Sequence, residues 1–383
     1  MSTSLSTFES QIQPIIRDRT GNVVETNDIQ DSLNRCIRYL INRHGIYATK
    51  NRAEIDIFKD VYEYPLPSDF HDAIELANPG TPTRTSRRTP VEFWKQLKNE
   101  RNTIAVDTIL GDRFLLVNRS SAGSSSRLHD MVSLTDNGTW AAAASTDATN
   151  LTADTVNKKL GGASINFDLD VSNSVNDYAA IENSTMTAVD LSGHANKGTL
   201  FVWAYIPDST NVTGFTARWG NDTSNYYEVA ITTAYNGRTL RDGWNRLGFA
   251  WAGATETGTV TDTAIDYAYL QVTYGASQTD DTDFRFDDIS MKSPESMELH
   301  YYSTHFVKDS SGVTKTTFSD VSDETLFEDE DDDIFFYWAL ADAQLIKQTF
   351  EERADSKESF NEMLSFLKSR YASERKRESY KYY

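Results

Sequence analysis

Residues that could carry out catalysis are scattered through this 383-residue sequence, and no familiar catalytic spacing is present. There is no GxSxG nucleophile turn, no Walker loop and no Gly-rich dinucleotide turn. Carboxylate pairs are abundant, but nothing singles out two of them as a glycosidase acid and nucleophile. We therefore expect no catalytic residues and a protein that is not an enzyme. The histidines also lack HExxH or other metal-ligand spacing; they are His44, His71, His129, His194, His300 and His305.

Tryptophan is the residue type most able to form a binding surface here, because an exposed indole ring can stack on the apolar face of a sugar. Five of the seven tryptophans lie between residues 138 and 291. Trp219 sits in the polar segment RWGNDTSNYY and is our best candidate for exposure, with Tyr226 and Tyr227 beside it. The alternative is that each tryptophan fills a hydrophobic core.

The strongest block of charge is the acidic run EDEDDD, Glu328–Asp333. It precedes a predicted helix, where carboxylates favour the positive end of the helix dipole. It could also line a channel and repel DNA, or hold a cation. The sequence leaves these three interpretations open.

Net charge is −20, and it is unevenly distributed. Residues 1–120 are balanced, whereas residues 121–295 have 10 basic and 22 acidic side chains. No segment has the dense basic surface of a protein that grips DNA. The acidity favours solubility, or a surface that DNA passes without sticking.

The single cysteine, Cys36, excludes an intramolecular disulfide and a cysteine-based zinc site, which suits assembly in a reducing cytoplasm. No apolar stretch approaches the ~20 residues of a membrane span. The start, MSTSLSTFESQIQ, lacks the regions of a signal peptide, so Sec-type export is not expected.

Patterning divides the chain into three blocks. The first predicts a helix with Asn27 as N-cap, Gln30 in a capping box and Gly45 at its end. A second helix is predicted over Val91–Asn99, and a hairpin over Thr103–Asn118.

The middle block begins with a Ser/Gly-rich segment, Arg119–Arg127, which predicts a flexible linker. Seven short β-rich runs follow, which predict an antiparallel sandwich. They are INFDLD, TLFVWAYIP, TGFTARWG, YYEVAITT, NRLGFAW, AYLQVTYG and FRFDDISM.

The third block predicts a strand over Met297–Phe306 and then two helices, the second with Ser356 as N-cap. Because the outer blocks are alike in style, we expect the sandwich to be inserted into a domain formed by both ends. The predicted boundaries are 1–118 and 294–372 for the outer domain, 119–133 for a linker, 134–293 for the sandwich and 373–383 for a tail.

The outer blocks resemble the head-to-tail connector (adaptor or neck) proteins of tailed phages. The matching segments, in order, are VYEYPLPSDF, VEFWKQL, TIAVDTILGDRFLLVN, MELHYYSTHF and IFFYWALADAQLIK. The resemblance implies a self-assembled ring of about twelve copies beneath the portal protein, in contact with downstream tail or neck proteins. Genomic DNA would pass through this ring without sequence-specific binding.

The resemblance also implies that the C-terminal segment docks onto the portal. Tyrosine and arginine, which alternate there, are favoured interface anchors, although a frayed, solvated helix end is the alternative. The matching residues are Arg370, Tyr371, Arg375, Lys376, Arg377, Tyr380, Lys381, Tyr382 and Tyr383.

The sandwich resembles the jelly-roll carbohydrate-binding modules, on Trp140, INFDLD, TLFVWAYIP, GWNRLGFAW and FRFDDISM. This resemblance implies a possible structural calcium ion at Asp168, Asp287 and Asp288, with exposed turn carboxylates as the alternative.

Together these features predict an α+β protein: a mainly helical connector domain with a small β hairpin or sheet, interrupted by an all-β jelly roll. Its predicted role is structural, in the neck of a virion assembled in the host cytoplasm, with no membrane partner and no cofactor beyond the possible calcium. The alternative is a carbohydrate- or receptor-binding virion protein.

Overall fold

The computed structural model of this chain describes residues 3–16, 23–46, 50–77, 87–88, 106–110, 113–117, 123–174, 177–327 and 329–380. The chain divides into two compact units, each assembled from separate pieces. The first unit comprises Met1–Ala53, Pro67–Glu75 and Leu299–Tyr383. The second comprises Glu54–Leu66 and Leu76–Glu298.

The α-helices among the described residues all lie in the first unit. They are α1 Leu5–Ile15, α2 Thr26–Tyr39, α3 Asp329–Ile346 and α4 Phe350–Tyr380, with a π-helical turn, Leu40–His44, directly after α2. No helix in the described part of the chain has the length and hydropathy of a membrane span.

The helix predicted from Asn27 starts slightly earlier than expected. Glu25 is its N-cap, and Glu25 and Asp28 form the capping box in place of Asn27 and Gln30. The Gln30 amide is used elsewhere, since it donates to the Phe318 carbonyl oxygen at 3.1 Å. The predicted end is confirmed, because Gly45 caps the π-helical turn with φ 58°, a conformation that favours glycine.

The two C-terminal helices meet at a turn that the sequence analysis placed too late. Helix α3 begins within the acidic run, at Asp329, as the helix-start interpretation expects. Helix α4 begins at Phe350, so the prediction of Ser356 as its N-cap is wrong. The chain turns at Gln348, which has φ 63°, and Ser356 is a buried residue inside α4 whose hydroxyl donates to Gln344 Oε1 at 2.8 Å.

Asp69, from the VYEYPLPSDF segment, is a structural carboxylate of the first unit. It is buried and accepts hydrogen bonds from the Tyr301 hydroxyl at 2.8 Å and the Ser303 hydroxyl at 2.7 Å. Burial acts to raise the pKa of Asp69, but these hydrogen bonds and one from Asn51 hold it below its usual value. Asp69 therefore ties its own turn to the strand that carries Tyr301 and Ser303.

Strands make up most of the remaining structure. In chain order they are β1 Lys50–Ile57, β2 Glu63–Pro65, β3 Phe70–Ala77, β4 Arg87–Arg88, β5 Val106–Leu110, β6 Arg113–Val117, β7 Ser124–His129, β8 Trp140–Ala142, β9 Ala148–Asp154, β10 Ser164–Leu169, β11 Tyr178–Asn183, β12 Thr199–Ile206, β13 Val212–Asp222, β14 Asn225–Ile231, β15 Gly243–Ala250, β16 Thr255–Thr257, β17 Tyr267–Tyr274, β18 Asp281–Ser293, β19 Glu295–Ser303, β20 Val307–Lys308, β21 Thr314–Lys315 and β22 Glu324–Thr325. All seven strands predicted for the sandwich are confirmed.

Two six-stranded sheets form the sandwich. Sheet I has the order β15-β12-β18-β10-β9, with β7 also paired to β18, and sheet II has the order β16-β14-β13-β17-β11-β8. Every strand pair in them is antiparallel. Residues of both sheets share one buried core, which includes Phe167, Leu200, Phe215 and Leu270. The inserted block is therefore an all-β jelly-roll sandwich, as predicted.

Three smaller sheets complete the fold, with the orders β1-β19-β3, β2-β6-β5-β4 and β21-β20-β22. The predicted hairpin corresponds to β5 and β6, which pair antiparallel from Val106↔Val117 to Leu110↔Arg113. The strand predicted over Met297–Phe306 is β19. The helix predicted over Val91–Asn99 lies outside the described residues.

The prediction of a mainly helical connector domain is wrong. Strands account for 41% of the described residues and helices for 23%. The apolar stripes of the helices favoured a helical domain, but further segments outside the predicted sandwich, such as β1 and β3, are extended. In β19, side chains from Met297 to Tyr301 alternate between buried and half-buried positions, which is the period of a strand.

The predicted linker is also partly wrong. Ser124–His129 forms β7, which pairs with β18 from Ser124↔Ser293 to His129↔Ile289. A serine-rich segment can do this because the ladder uses backbone groups, which every residue except proline supplies in full. The compact unit that contains the sandwich also includes residues 54–66 and 76–118, which the sequence analysis assigned to the outer domain.

Trp219 gives a direct test of the sandwich core. Its side chain is fully buried and lies 5.6 Å from Trp251 between ring centroids. We expect Trp219→Ala to lower the free energy of unfolding by about 3–5 kcal/mol, because it leaves a large cavity. Urea denaturation followed by near-ultraviolet circular dichroism measures this change.

The matched control is Val156→Ala, since the Val156 side chain is 83% exposed. We expect this control to change stability by no more than about 0.5 kcal/mol. Equal stability of the two variants would contradict a core position for Trp219.

Candidate functional site

The three residues predicted to form a glycan platform do not lie together. Trp219 is fully buried in the core, so its predicted exposure is wrong. Tyr227 packs against the same core and donates from its hydroxyl to Asp262 at 3.0 Å. Tyr226, its neighbour in β14, lies on the opposite face of sheet II, where the Arg218 guanidinium sits 4.7 Å from its ring centroid. The strand alternation therefore separates these side chains.

The predicted calcium ligands are not brought together either. Ile165 pairs with Phe286, so Asp168 is displaced by about four residues, roughly 13 Å, from the position opposite Asp287. Each carboxylate has other partners. Asp168 accepts from the Asn150 amide at 2.9 Å, Asp287 from backbone N–H groups, and Asp288 forms an ion pair with Arg127 at 3.2 Å.

One group of possible metal ligands occurs among the described residues: His129, Asp130 and Asp136. Both ring nitrogens of His129 are already engaged. Nδ1 accepts from the Met131 N–H at 2.8 Å, and Nε2 lies 3.1 Å from the Asn137 carbonyl oxygen. This imidazole is therefore a buried structural group of the sandwich.

The predicted portal-docking residues lie on the last turns of α4 and beyond it. The helical backbone continues through Tyr380, so Arg370, Tyr371, Arg375, Lys376, Arg377 and Tyr380 are helical positions. Lys381, Tyr382 and Tyr383 lie outside the described residues. Portal docking stays a prediction.

The side chains that do converge lie on the outer face of sheet I. In β12, Leu200, Val202, Ala204 and Ile206 point into the core. The alternate residues, Phe201, Trp203 and Tyr205, must therefore point away from it. In β15 the same alternation turns Leu247 and Phe249 inward and Trp244, Arg246 and Gly248 outward.

Strand register arranges these outward residues in rows across three strands. One row contains Arg246, Trp203 and Asp287, which pair across β15, β12 and β18. The next row contains Trp244, Tyr205 and Arg285. Trp203, Tyr205 and Trp244 are each half-buried, so part of every ring faces solvent.

A cavity of about 750 Å³ lies against this face. Its walls are the β12–β15 surface, the loop at residues 234–245, the segment Lys59–Glu63 and the turn at Lys159 and Leu160. All of these belong to the second unit. The volume falls in the range of roughly 300–1,000 Å³ typical of small-ligand sites.

Tyr235 closes one end of the cavity. Its ring lies 4.8 Å from Phe201 between centroids, above Gly248. A Cβ at residue 248 would come within 2.5 Å of the Tyr235 ring, so the site needs glycine there. The loop is also fixed by its backbone, since the Tyr235 N–H donates to the Arg246 carbonyl at 2.8 Å.

Asp287 anchors the opposite wall. Its Oδ2 accepts from the N–H groups of Lys159 at 2.6 Å and Leu160 at 2.8 Å. This brings the Lys159 ammonium 4.5 Å from the centroid of the Trp203 ring. Burial raises the pKa of Asp287 to about 6, although the two N–H donors act to lower it.

Two cations form the inner part of the cavity. Arg246 donates to the Asp60 carbonyl oxygen at 2.7 Å, and its guanidinium lies 5.2 Å from the Trp203 ring centroid. The Lys292 ammonium donates to the Lys59 carbonyl oxygen at 2.9 Å. Burial, helped by the positive charge of Arg246, lowers the pKa of Lys292 to about 8.

Sequence reasoning missed Trp203 and Trp244 because it ranked tryptophans by local polarity. The usable signal was the alternation of side chains between the two faces of the strand. In TLFVWAYI the aliphatic residues of one parity already form a complete core face, so Trp203 belongs to the outer face. Trp219 sits among polar residues along the chain, yet its strand position points inward.

Comparisons with known proteins give matches to solved structures alone. No protein-family model matches the sequence, and no curated protein is significantly similar to it. Solved structures that match include carbohydrate-binding modules. A family 11 module from Clostridium thermocellum, in complex with a β-1,3-1,4-mixed-linked tetrasaccharide, is 14% identical, with a TM-score of 0.31 over 45% of this chain and 96% of that chain.

Two further modules match over the same share of the chain. A family 30 carbohydrate-binding module is 12% identical, with a TM-score of 0.33 over 44% of this chain and 99% of that one. The CBM27-1 module of Caldicellulosiruptor saccharolyticus, in complex with mannohexaose, is 9% identical, with a TM-score of 0.29 over 44% and 96%.

The raised pKa of Asp287 predicts a specific pH dependence of stability. The folded state binds this proton more tightly than the unfolded chain, so the stabilisation is present below pH about 4 and is lost as pH rises through 6. Relative to Asp287→Asn, the wild type should lose on the order of 3 kcal/mol between pH 4 and pH 7. Urea denaturation of both proteins across this range measures the difference.

The control is Asp170→Asn, because Asp170 is an exposed turn carboxylate whose hydrogen bonds to Ser172 lower its pKa. The difference in free energy of unfolding between Asp170→Asn and the wild type should change little above pH 5. If the difference in free energy of unfolding between the wild type and Asp287→Asn does not vary with pH, the pKa of Asp287 is not raised in the folded state.

Proposed function

We propose that the sandwich binds a glycan in the cavity on the outer face of sheet I. The observation that carries this proposal is the row arrangement of Trp203, Tyr205 and Trp244 at a cavity of about 750 Å³. Aromatic rings stack on the apolar faces of sugars, and polar groups around them select the hydroxyl pattern.

The aromatic rings are held by a rigid scaffold. Trp203 and Tyr205 belong to the inner strand β12, which is hydrogen-bonded on both sides, and Tyr205 packs against Trp244 with 5.5 Å between centroids. A ligand would therefore meet preformed surfaces, which lowers the entropic cost of binding.

Polar side chains beside the rings can form hydrogen bonds with the hydroxyl groups of a sugar. Asn236, Thr239 and Ser290 line the cavity. Asn236 is oriented by the Glu63 carboxylate, which accepts from its amide at 3.3 Å. This combination of a few rings with placed polar groups is the usual composition of a ligand site.

In the whole protein, we propose a non-enzymatic role in which the sandwich attaches a virion to a glycan. Three acidic residues line the cavity, and two of them have polar partners: Asp288 is paired with Arg127, and Glu63 accepts from Asn236. Incubating the full chain with the glycans that it binds and measuring reducing ends tests the alternative of a glycan-degrading enzyme. We expect no release above the blank.

Removing the two indole rings should weaken binding without unfolding the protein. We expect Trp203→Ala and Trp244→Ala each to weaken glycan affinity by about tenfold, because each loses about 1.4 kcal/mol of stacking. A glycan array identifies ligands for the full chain, and isothermal titration then measures the affinities.

Tyr226→Ala is the matched aromatic control, because Tyr226 lies on sheet II, outside the cavity. It should bind as the wild type does, and circular dichroism should show all three variants folded. Loss of binding in Tyr226→Ala alone would place the site on sheet II instead.

The connector role implied by the outer blocks is a second proposal. It rests on the resemblance of the outer blocks, whose ends, Met1–Ala53 and Leu299–Tyr383, belong to one compact unit. We expect the full chain to form a ring on its portal protein, and a chain truncated before Arg370 to fail to do so. Mass photometry of each mixture measures this, and equal docking of the truncated chain would refute the tail assignment.

A further inference from the structure

Basic residues of the sandwich are concentrated at the cavity. Residues 121–295 contain 10 basic side chains, and six of them line it; of the 22 acidic side chains in the same stretch, only Asp288 does. The six are Arg127, Lys159, Arg238, Arg241, Arg246 and Lys292. This is the reverse of the charge balance in the rest of the stretch.

The segment Lys59–Glu63 changes the charge of the cavity lining only a little. Lys59 adds one cation, and Asp60 and Glu63 add two carboxylates. The lining as a whole has seven basic and three acidic residues, in a chain of net charge −20. Such segregation creates a local positive potential that attracts anions against the field of the whole protein.

The cavity floor also contains two buried donors without an acceptor. Arg246 Nε and Trp203 Nε1 have no hydrogen-bond partner among the described residues. These two residues are cross-strand neighbours in one row. Buried donors are rarely left unpaired in native proteins, and both atoms are closed to solvent, so a ligand oxygen could pair with them only after a small side-chain movement.

At the mouth, Arg241 and Lys59 are exposed. Arg241 has a fixed backbone, because its N–H donates to Asn245 Oδ1 at 3.2 Å and its carbonyl accepts from Asn245 Nδ2 at 2.6 Å. A guanidinium on an anchored turn can bind a carboxylate or sulfate through two parallel hydrogen bonds.

Resting on the proposed glycan site, we infer that the ligand is an anionic polysaccharide, whose sugar rings stack on the indoles and whose acidic groups meet the cavity cations. Burial is the main cause of the lowered pKa of Lys292, and the positive charge of Arg246 adds to it. A bound anion would favour the charged form of this ammonium group.

The test uses pairs of glycans that share a sugar backbone and differ in the number of anionic groups. Titrations of the full chain compare polygalacturonate with its methyl ester, and chondroitin sulfate with unsulfated chondroitin. A mixed-linked β-glucan serves as a neutral probe and a single-stranded oligonucleotide as a non-glycan polyanion. We expect the more highly charged member of at least one pair to bind at least tenfold more tightly than its partner, with affinity falling as salt rises.

The pattern across the pairs identifies the anion. Preference for polygalacturonate indicates a carboxylate, and preference for chondroitin sulfate over chondroitin indicates a sulfate. Equal, salt-insensitive binding to charged and neutral glycans overturns this inference but leaves the glycan site standing. Binding to none of the glycans, or tightest binding to the oligonucleotide, overturns both.

Variants separate charge from stacking. The double variant Lys59→Ala/Arg241→Ala should weaken acidic-glycan binding at least tenfold, whereas Trp244→Ala should weaken binding to every glycan bound. Lys197→Ala is the control, because Lys197 is exposed and outside the cavity, and it should stay within twofold of the wild type. Wild-type affinity in the double variant would show that the cations do not bind the ligand.

Discussion

The two-residue period of β12 is the constraint on which the sandwich and its cavity both depend. Every second residue from Leu200 to Ile206 is aliphatic, and these side chains complete the core between the sheets. The residues between them lie on the other face of the strand, so their aromatic side chains are held outside that core. A register shift of one residue would exchange the two sets, exposing the aliphatic core and burying Trp203.

Neighbouring strands extend this constraint into a site. Pairing with β15 and β18 places a charged side chain on each side of Trp203, namely Arg246 and Asp287. Asp287 in turn positions a turn of the chain above the sheet, and Gly248 leaves room for the Tyr235 ring. The walls of the cavity are thus consequences of the register beneath them.

The distribution of charge in this protein is more informative than its net charge. An overall charge of −20 suggests a surface that repels polyanions, yet the cavity collects most of the basic residues of the sandwich. These residues are far apart in the sequence, from Arg127 to Lys292, so no local run of basic residues announces the patch. Only strand pairing brings them together.

The sequence by itself determined the sandwich. Seven β-rich runs separated by turn residues predicted its class and seven of the twelve strands in its two sheets, because alternation and turn chemistry are local properties. Local patterning also located α2, the glycine cap at Gly45 and the hairpin of β5 and β6, but it did not predict α1. It overestimated the helical share, since extended segments such as β1 and β3 have weaker patterns than amphipathic helices.

The tertiary structure alone decided which residues meet. Local polarity suggested that Trp219 is exposed, but the sheet turns it into the core. Acidic residues that a resemblance grouped, Asp168 and Asp287, are separated by the register of β10 and β18. The cavity is assembled from segments between Lys59 and Lys292, and such long-range pairing is set by packing of the whole unit, which no local window of the sequence contains.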